Sequence, residues 1–490
     1  MKETNNRIIF WFTLASIIMG VLLRIASFSW NNALNGDVNL FALTAREFAL
    51  HGKLEYPMKY DYSPWVAYQT LHTPASQHPP LWSVIAGIIA KNLHSDDTFS
   101  ILKILSEVCG VLLIGSMLCF GKNFQVLEPF FQYLLFPPTL FIACSLVSLS
   151  AVLIDFSANG SPYILMALWI TLDTWLLVNF DPQNFLQIFL AGIFCALGIL
   201  THSALLFLPL GFAAVLLFKK PCNSSQTFKL KPHIIYLLIF VIITFVILLP
   251  WLVWNSRHFG QPFYSYSSYY LWERLGLLRT EISNGIIVSQ LDISLPVNQI
   301  LQRYILIAGK SFYALCREFF LVAGPFTIIL FGYGIYIQGK ENKEKLAYLL
   351  LPSACYIIAI LVWATYKFRF LIPLLPVFFL LSAAGFTTMR QRGKIWQWIA
   401  GICLTGTLIW IALPSSREVK TLYYGEESQS HAVLYSAMKP LASWLASMPE
   451  GVVLGYAQPL DGGIETIYWH HLPFVAGRGL GEAEIKKLAK

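Results

Sequence analysis

The chain has 490 residues, of which 56% are hydrophobic and only 12% charged. About a quarter of an ordinary soluble domain is charged, so this composition excludes a string of soluble domains and points to a membrane protein with many crossings. The net charge of +8 does not indicate a nucleic-acid partner, because the basic residues fall in short clusters between apolar runs, as expected of cytoplasmic loops.

Residues 1–7 are polar. The first apolar run, 8–28, contains Arg24. Its length favours a retained first span over a cleaved leader, with the N-terminus cytoplasmic. The polar stretch 35–82 follows, within a first outer loop predicted over 29–100. Val38, Phe41, Ala42, Ala45, Phe48 and Ala49 recur at helical spacing over 38–51, with Arg46 and Glu47 off that stripe. This is the pattern of a helix lying in the interface plane. Leu81–Leu93 is apolar but only about 13 residues long, where a crossing takes about 20.

Reading Leu81–Leu93 as interfacial leaves spans at 101–121, 128–154, 162–180, 185–200 and 203–218. Further spans are predicted at 233–254, 313–337, 346–365, 370–388 and 395–413. With the first run this makes about eleven. The choice has an electrostatic check. It places Lys122, Lys219, Lys220, Lys229, Lys231, Lys340, Lys343, Lys345, Arg390, Arg392 and Lys394 in cytoplasmic turns, whereas a crossing at Leu81–Leu93 would put them all outside.

Two other regions lie outside the bilayer on this reading. The second outer loop, 255–312, is rich in Tyr and Trp (Tyr264, Tyr266, Tyr269, Tyr270, Trp272), which suits the membrane interface. The tail, 414–490, reads as a small α/β appendage on the outer face, with a helix at 428–448 and strands at 451–456 and 472–476. The expected fold class is therefore an all-α polytopic membrane protein. A transmembrane unit over 1–413 carries interfacial helices in its first outer loop and ends in this extracytoplasmic tail.

Of the eight cysteines, six lie in apolar runs and none forms a CxxC pair, so neither a zinc site nor a disulfide framework is indicated. The sequence has no GxxxxGK[ST], no GxGxxG and no Asp-x-Asp pair, and so no signal for ATP, NAD or a nucleotide-sugar donor.

Asp37 is the first acid after the first span. A carboxylate at the membrane surface can take a proton from a hydroxyl or amine; it can equally cap the helix that begins at Val38. His78 opens His78-Pro79-Pro80-Leu81, in which the prolines fix an extended entry to a helix. Its imidazole could donate to an anion or simply be solvated. In Tyr366-Lys367-Phe368-Arg369, Lys367 and Arg369 stand at the outer mouth of a span. They could grip a lipid phosphate or act as snorkelling anchors. Arg257 carries the same two readings. Arg24, Glu107, Asp155, Asp173 and Glu318 lie within or beside apolar runs, where ionisable residues are costly and default to paired or functional roles. Asp155 shares the outer face with Asp37, and Lys103 and Glu107 form a helical-turn pair.

Several of these segments, in order, resemble the glycosyltransferase C superfamily, in its branch of protein O-mannosyltransferases and aminoarabinose (lipid A) transferases. They are Gly36-Asp37 with Ala45-Arg46, then His78-Pro79-Pro80-Leu81, then Leu197-Gly198-Ile199-Leu200-Thr201-His202. Pro250-Trp251 through Asn255 to Phe259-Gly260-Gln261-Pro262-Phe263-Tyr264 follows, and then Arg369-Phe370-Leu371-Ile372-Pro373-Leu374-Leu375-Pro376. The resemblance implies an inverting transferase that moves a sugar from a polyprenyl phosphate to an extracytoplasmic acceptor: a protein, a glycolipid or a polymer. Asp37 would be the general base. His78, Arg369, Lys367 and Arg257 would face the donor phosphate. Asp155 and His202 are the candidates for a second acid or acceptor site.

The chain departs from that pattern at Asp37-Val38, where many members have Asp-Glu. It departs again at Ser161-Pro162, where some have an acid before the proline, and at His202, where many have Lys or Arg. A divalent metal is left open. The short loops read as bacterial, which would make the carrier undecaprenyl phosphate and the membrane the inner one. Two other readings compete: a non-catalytic relative acting as an assembly scaffold, and a lipid or solute transporter. A transporter should carry internal repeats, and none is evident.

Overall fold

The computed structural model describes residues 2–30, 36–56, 58–60, 73–75, 78–95, 97–120, 138–181, 184–218, 230–264, 271–272, 275–283, 286–291, 295–363, 368–412 and 474–476. The expectations for Lys122, Lys219, Lys220, Lys367, the tail helix at 428–448 and the strand at 451–456 lie outside the described residues.

The apolar runs fold as helices. In chain order they are α1 (Lys2–Trp30), α2 (Gly36–His51), α3 (Leu81–Leu93), α4 (Thr98–Leu118), α5 (Pro138–Leu149), α6 (Ala151–Ala158) and α7 (Tyr163–Val178). They continue as α8 (Phe185–Thr201), α9 (Leu208–Phe218), α10 (Leu230–Phe259), α11 (Val297–Glu341), α12 (Lys343–Val362), α13 (Leu375–Gln391) and α14 (Lys394–Ala412). Among the described residues, seven helices are long and apolar enough to cross a membrane, and the pair α5–α6, bent by 58°, makes an eighth. The helices at Tyr163–Val178, Phe185–Thr201 and Ser203–Leu217 are apolar but shorter. Counted as crossings, these three bring the protein to the expected eleven.

Helix α3 belongs to the same short class, and the contacts around it return the chain to the bundle end where α1 stops. Thr98, directly after α3, donates its hydroxyl to the Ala42 carbonyl in α2 at 2.8 Å. One turn further, Lys103 Nζ donates to the Phe28 carbonyl at the end of α1 at 2.6 Å. Helix α4 thus starts where α1 stops, and α2 and α3 pair with each other between them. Asp97 caps α4 by accepting from the Ser100 amide at 3.0 Å, satisfying one of the donors a helix start leaves open.

Helix α13 is the centre of the bundle: every residue from Leu371 to Thr387 is buried. It packs on α11, α5 and α14. Gly334 of α11 and Gly385 of α13 have each other's helix backbone where a Cβ would sit, the small-residue contact that lets membrane helices approach closely. Helix α11 kinks at Gly324 (φ 77°), just before Pro325. Pro325 has no N–H to give the Leu321 carbonyl. The Trp410 indole of α14 donates to that carbonyl instead, at 2.7 Å.

The structure corrects two expectations and adds to one. Arg46 and Glu47, expected off the apolar stripe of α2, are 4% and 6% exposed, because α3 and α4 pack over α2 and embed it. The straight span expected over 128–154 is broken at Ser150, whose extended backbone separates α5 from α6. The loop expected over 255–312 is helical at both ends, with α10 reaching Phe259 and α11 starting at Val297. Between them, β4 (Leu278–Ser283) and β5 (Ile286–Leu291) form an antiparallel hairpin.

In the first outer loop, β1 (Glu55–Tyr56) pairs antiparallel with β3 (Thr73–Pro74). The other strand of that loop, β2 (Met58–Tyr60), pairs in parallel with β6 (Phe474–Ala476) of the tail. The strand expected at 472–476 is therefore present, and it joins the tail to the first outer loop.

Candidate active site

The site residues converge at the bundle end where α1 stops. Gly36 and Asp37 form the first turn of α2, and the Asp37 side chain lies outside the described residues. Its neighbour Val38 is fully buried and packs on Gly160, in the turn between α6 and α7, where a Cβ would stand 3.1 Å from Val38 Cγ1. Gly160 has φ 80°, a backbone region open to glycine and strained for other residues. Its carbonyl accepts from the Trp82 indole at 2.9 Å. Trp82 follows the His78-Pro79-Pro80 entry, so the first helix of the loop and the entry to the second meet on one turn.

His78 is half-buried and stacks on Phe41 of α2, with centroids 4.5 Å apart. Its ring lies 5.7 Å from that of His202, which follows the end of α8. His202 is buried, and its Nδ1 accepts from the Ala204 amide at 3.1 Å. A neutral ring in that arrangement carries its proton on Nε2, so that nitrogen is the donor. The His202 ring is also 5.8 Å from Tyr163 and 5.8 Å from Phe370. Arg369 lies over the Tyr163 ring at 5.5 Å, within cation–π range. His78, His202 and Arg369, far apart in sequence, therefore gather about one aromatic patch. A shallow apolar pocket adjoins His78, lined among others by Phe41, Thr44, Pro80, Ser83, Trp251 and Trp254.

The other candidates are Arg257, Lys367 and Asp155. Arg257 is exposed in the last turn of α10, while Trp251 and Trp254 of the same helix line the pocket. Lys367 is among the residues not described. Asp155 is half-buried on α6, one residue before Phe156, whose ring meets Tyr163 and Phe368. Among the described residues no group of three or more His, Cys, Asp or Glu side chains is placed to hold a metal. Tyr163, Gly160 and Trp82 went unnoticed in the sequence. The only signal for any of them was the Ser161-Pro162 departure, because a tyrosine at a helix start marks a site only once its neighbours are known.

No family model matches the sequence, and no curated protein matches it. Solved structures do match. The archaeal oligosaccharyltransferase AglB from Archaeoglobus fulgidus, in complex with an inhibitory peptide and a dolichol-phosphate, is 13% identical with a TM-score of 0.52. The alignment covers 96% of this chain and 65% of that one, so this chain spans just under two thirds of AglB. The same oligosaccharyltransferase tethered to an acceptor peptide containing the NVT sequon is 14% identical with a TM-score of 0.54, over 95% of this chain and 64% of that one. ArnT from Cupriavidus metallidurans, in the apo state, is 12% identical with a TM-score of 0.52, over 97% of this chain and 86% of that one.

The fold is the glycosyltransferase C fold. The segments that carry the sequence resemblance are distributed over that fold in a consistent way. His78-Pro79-Pro80, the end of α8 with His202, and Arg369-Phe370 all reach one end of the glycosyltransferase C bundle, beside the turn that backs Val38.

Proposed function

We propose that the protein is an inverting glycosyltransferase that takes a sugar from a polyprenyl-phosphate donor. The observation that carries this reading is the gathering of His78, His202 and Arg369 at the bundle end where Asp37 begins α2, in a glycosyltransferase C fold.

The chemistry follows from the charges. A guanidinium fork and imidazole donors suit phosphate oxygens. The Asp37 carboxylate takes the proton from an acceptor hydroxyl or amine. The acceptor atom attacks the anomeric carbon from the face opposite the phosphate. The bond from that carbon to the phosphate oxygen breaks, and the polyprenyl phosphate leaves with the electron pair. Its negative charge is offset by the Arg369 guanidinium and the imidazole N–H donors, so no general acid is required. The isoprenoid tail is expected to lie along α10, whose Trp251 and Trp254 stand beside His78 and whose Leu249 and Val253 are exposed. No step here is routed through a metal.

The site end is the extracytoplasmic one. Helix α12 has 20 residues, from Lys343 to Val362, or about 30 Å. That length sets Lys340, Lys343 and Lys345 a membrane thickness away from the Val362 end, on the basic side that faces the cytoplasm. The N-terminus is then cytoplasmic, the tail extracytoplasmic, and in a bacterium the membrane is the inner one and the carrier undecaprenyl phosphate. Pairing of β6 with β2 supports a tail packed on the first outer loop.

The test uses membranes containing the protein and a panel of radiolabelled polyprenyl-phosphate sugars, with native chain and Asp37→Asn compared for sugar release and transfer. Turnover by the native chain and its loss in the variant are expected. Equal turnover by both would reject Asp37 as the base. Donor binding without turnover by the native chain would make the protein a scaffold rather than an enzyme.

A further inference from the structure

Arg24 is buried inside the first span, fully shielded from solvent, and the reaction just described does not use it. A buried arginine at membrane depth is costly and calls for an account of its partners. Its guanidinium makes four hydrogen bonds. Nη1 donates to the Gly20 carbonyl of its own helix at 2.9 Å and to the Ser148 carbonyl at 2.9 Å. Nη2 donates to the Val147 carbonyl at 3.1 Å, and Nε to Ser157 Oγ at 3.2 Å.

Those partners lie on both sides of the broken span. Val147 and Ser148 are in the last turn of α5, whose carbonyls lose their helical partners where the chain bends at Ser150. Ser157 is in the last turn of α6. The contact leaves no slack: a Cβ on Gly110 of α4 would collide with Ser157 Oγ and stand 3.1 Å from Arg24 Nε. One planar fork therefore closes the end of α5 and grips α6. Helix α6 leads, through Asn159, Gly160 and Ser161, to Tyr163. That turn receives the Trp82 indole and backs Val38, beside Asp37.

We propose that Arg24 is a positioning residue. By bridging α5 and α6 it sets the direction of α6, and so the location of the Gly160 turn and of Tyr163, on which Arg369 and His202 pack. Lysine cannot replace it, because a single ammonium lacks the planar fork that reaches both halves.

The proposal rests on the glycosyl-transfer reading only for its kinetic consequence, so the test has two arms. The first is amide hydrogen exchange of the detergent-solubilised full chain, followed over 150–162, for native, Arg24→Lys and Ser157→Ala. Ser157→Ala removes the bond from Arg24 to α6, together with the Ser157 hydroxyl's own bond to the Leu153 carbonyl at 2.6 Å, and leaves the closure of α5 in place, which guards against loss of the fold. Faster exchange confined to 147–162 is expected in both variants. The second arm is sugar transfer per bound donor, which is independent of the folded fraction. A fall of roughly 10- to 100-fold is expected, the scale of about 1 Å of misplacement, and the donor KM is expected to rise alongside it because Arg369 packs on Tyr163.

Unchanged exchange over 147–162, exchange raised equally in every helix, full rescue by lysine, or a raised donor KM with unchanged kcat would each overturn the proposal. If the native chain turns over no lipid-linked sugar, the glycosyl-transfer reading fails, and the exchange arm still decides whether Arg24 sets the bend.

Discussion

Asp37 occupies the first turn of α2, and its neighbour Val38 packs against Gly160. Asp37→Asn keeps the size and removes the base. Turnover is expected to fall by about 10²- to 10⁴-fold, as for loss of a positioned general base, with donor binding retained; radiolabelled donor assays read both. In the proposed reaction Arg369 acts on the donor phosphate. Its hydrogen bonds to a charged phosphate are each worth about 1.5–3 kcal/mol. Arg369→Ala is therefore expected to raise the donor KM by roughly 10- to 100-fold, with Arg369→Lys between it and native, because lysine keeps the charge and loses the fork. An unchanged donor KM in Arg369→Ala would reduce this arginine to a membrane anchor. Asp37, His78, His202 and Arg369 were all legible in the sequence as charged or titratable residues at the ends of apolar runs. What brings His78 and His202 to 5.7 Å is packing around Tyr163, and a tyrosine announces nothing in a sequence.

At the scale of elements, the packing of α3 agrees with its length and loop charge, and periodicity found the helix and buried stripe of α2 but not the burial of its polar face. A run of 13 apolar residues is too short to cross whatever it packs against. The burial of Arg46 and Glu47 depends on two other helices lying over them, which no stripe records. The bend between α5 and α6 was equally hidden. Arg24 stood out as a charge in a span, but its partners at Val147, Ser148 and Ser157 are more than a hundred residues away. The α11 kink follows the same logic, since a proline frees a carbonyl and a distant side chain must answer it. Trp410→Phe removes the indole N–H from the Leu321 carbonyl and keeps an aromatic ring against Gly324. An orphaned buried acceptor costs about 1–3 kcal/mol, so the variant is expected to melt below native in detergent. An equal melting temperature would mean that the kink needs no partner.

At the scale of the whole molecule, the direction of every later helix rests on one decision, whether the chain crosses the membrane at α3. The bonds from Thr98 to Ala42 and from Lys103 to Phe28 return the chain to the face it left, so α4 runs antiparallel to α1. Everything downstream alternates from there. That alternation brings the ends of α6 and α8 and the start of the Phe368 turn to the Asp37 face, and carries Lys343 to the opposite one. Single cysteines at Lys53, before α3, and at Ser95, after it, are therefore expected to react with a membrane-impermeant maleimide from the same side. A cysteine at Lys343 should react only after the membrane is opened. Lys53 and Lys343 are exposed, and Ser95 is partly exposed in the turn before α4. Labelling of Lys53→Cys and Ser95→Cys from opposite faces would make α3 a crossing and reverse every later helix. Arg369 and His202 could then no longer share a membrane face with Asp37, and the proposed reaction would lose its geometry along with its topology.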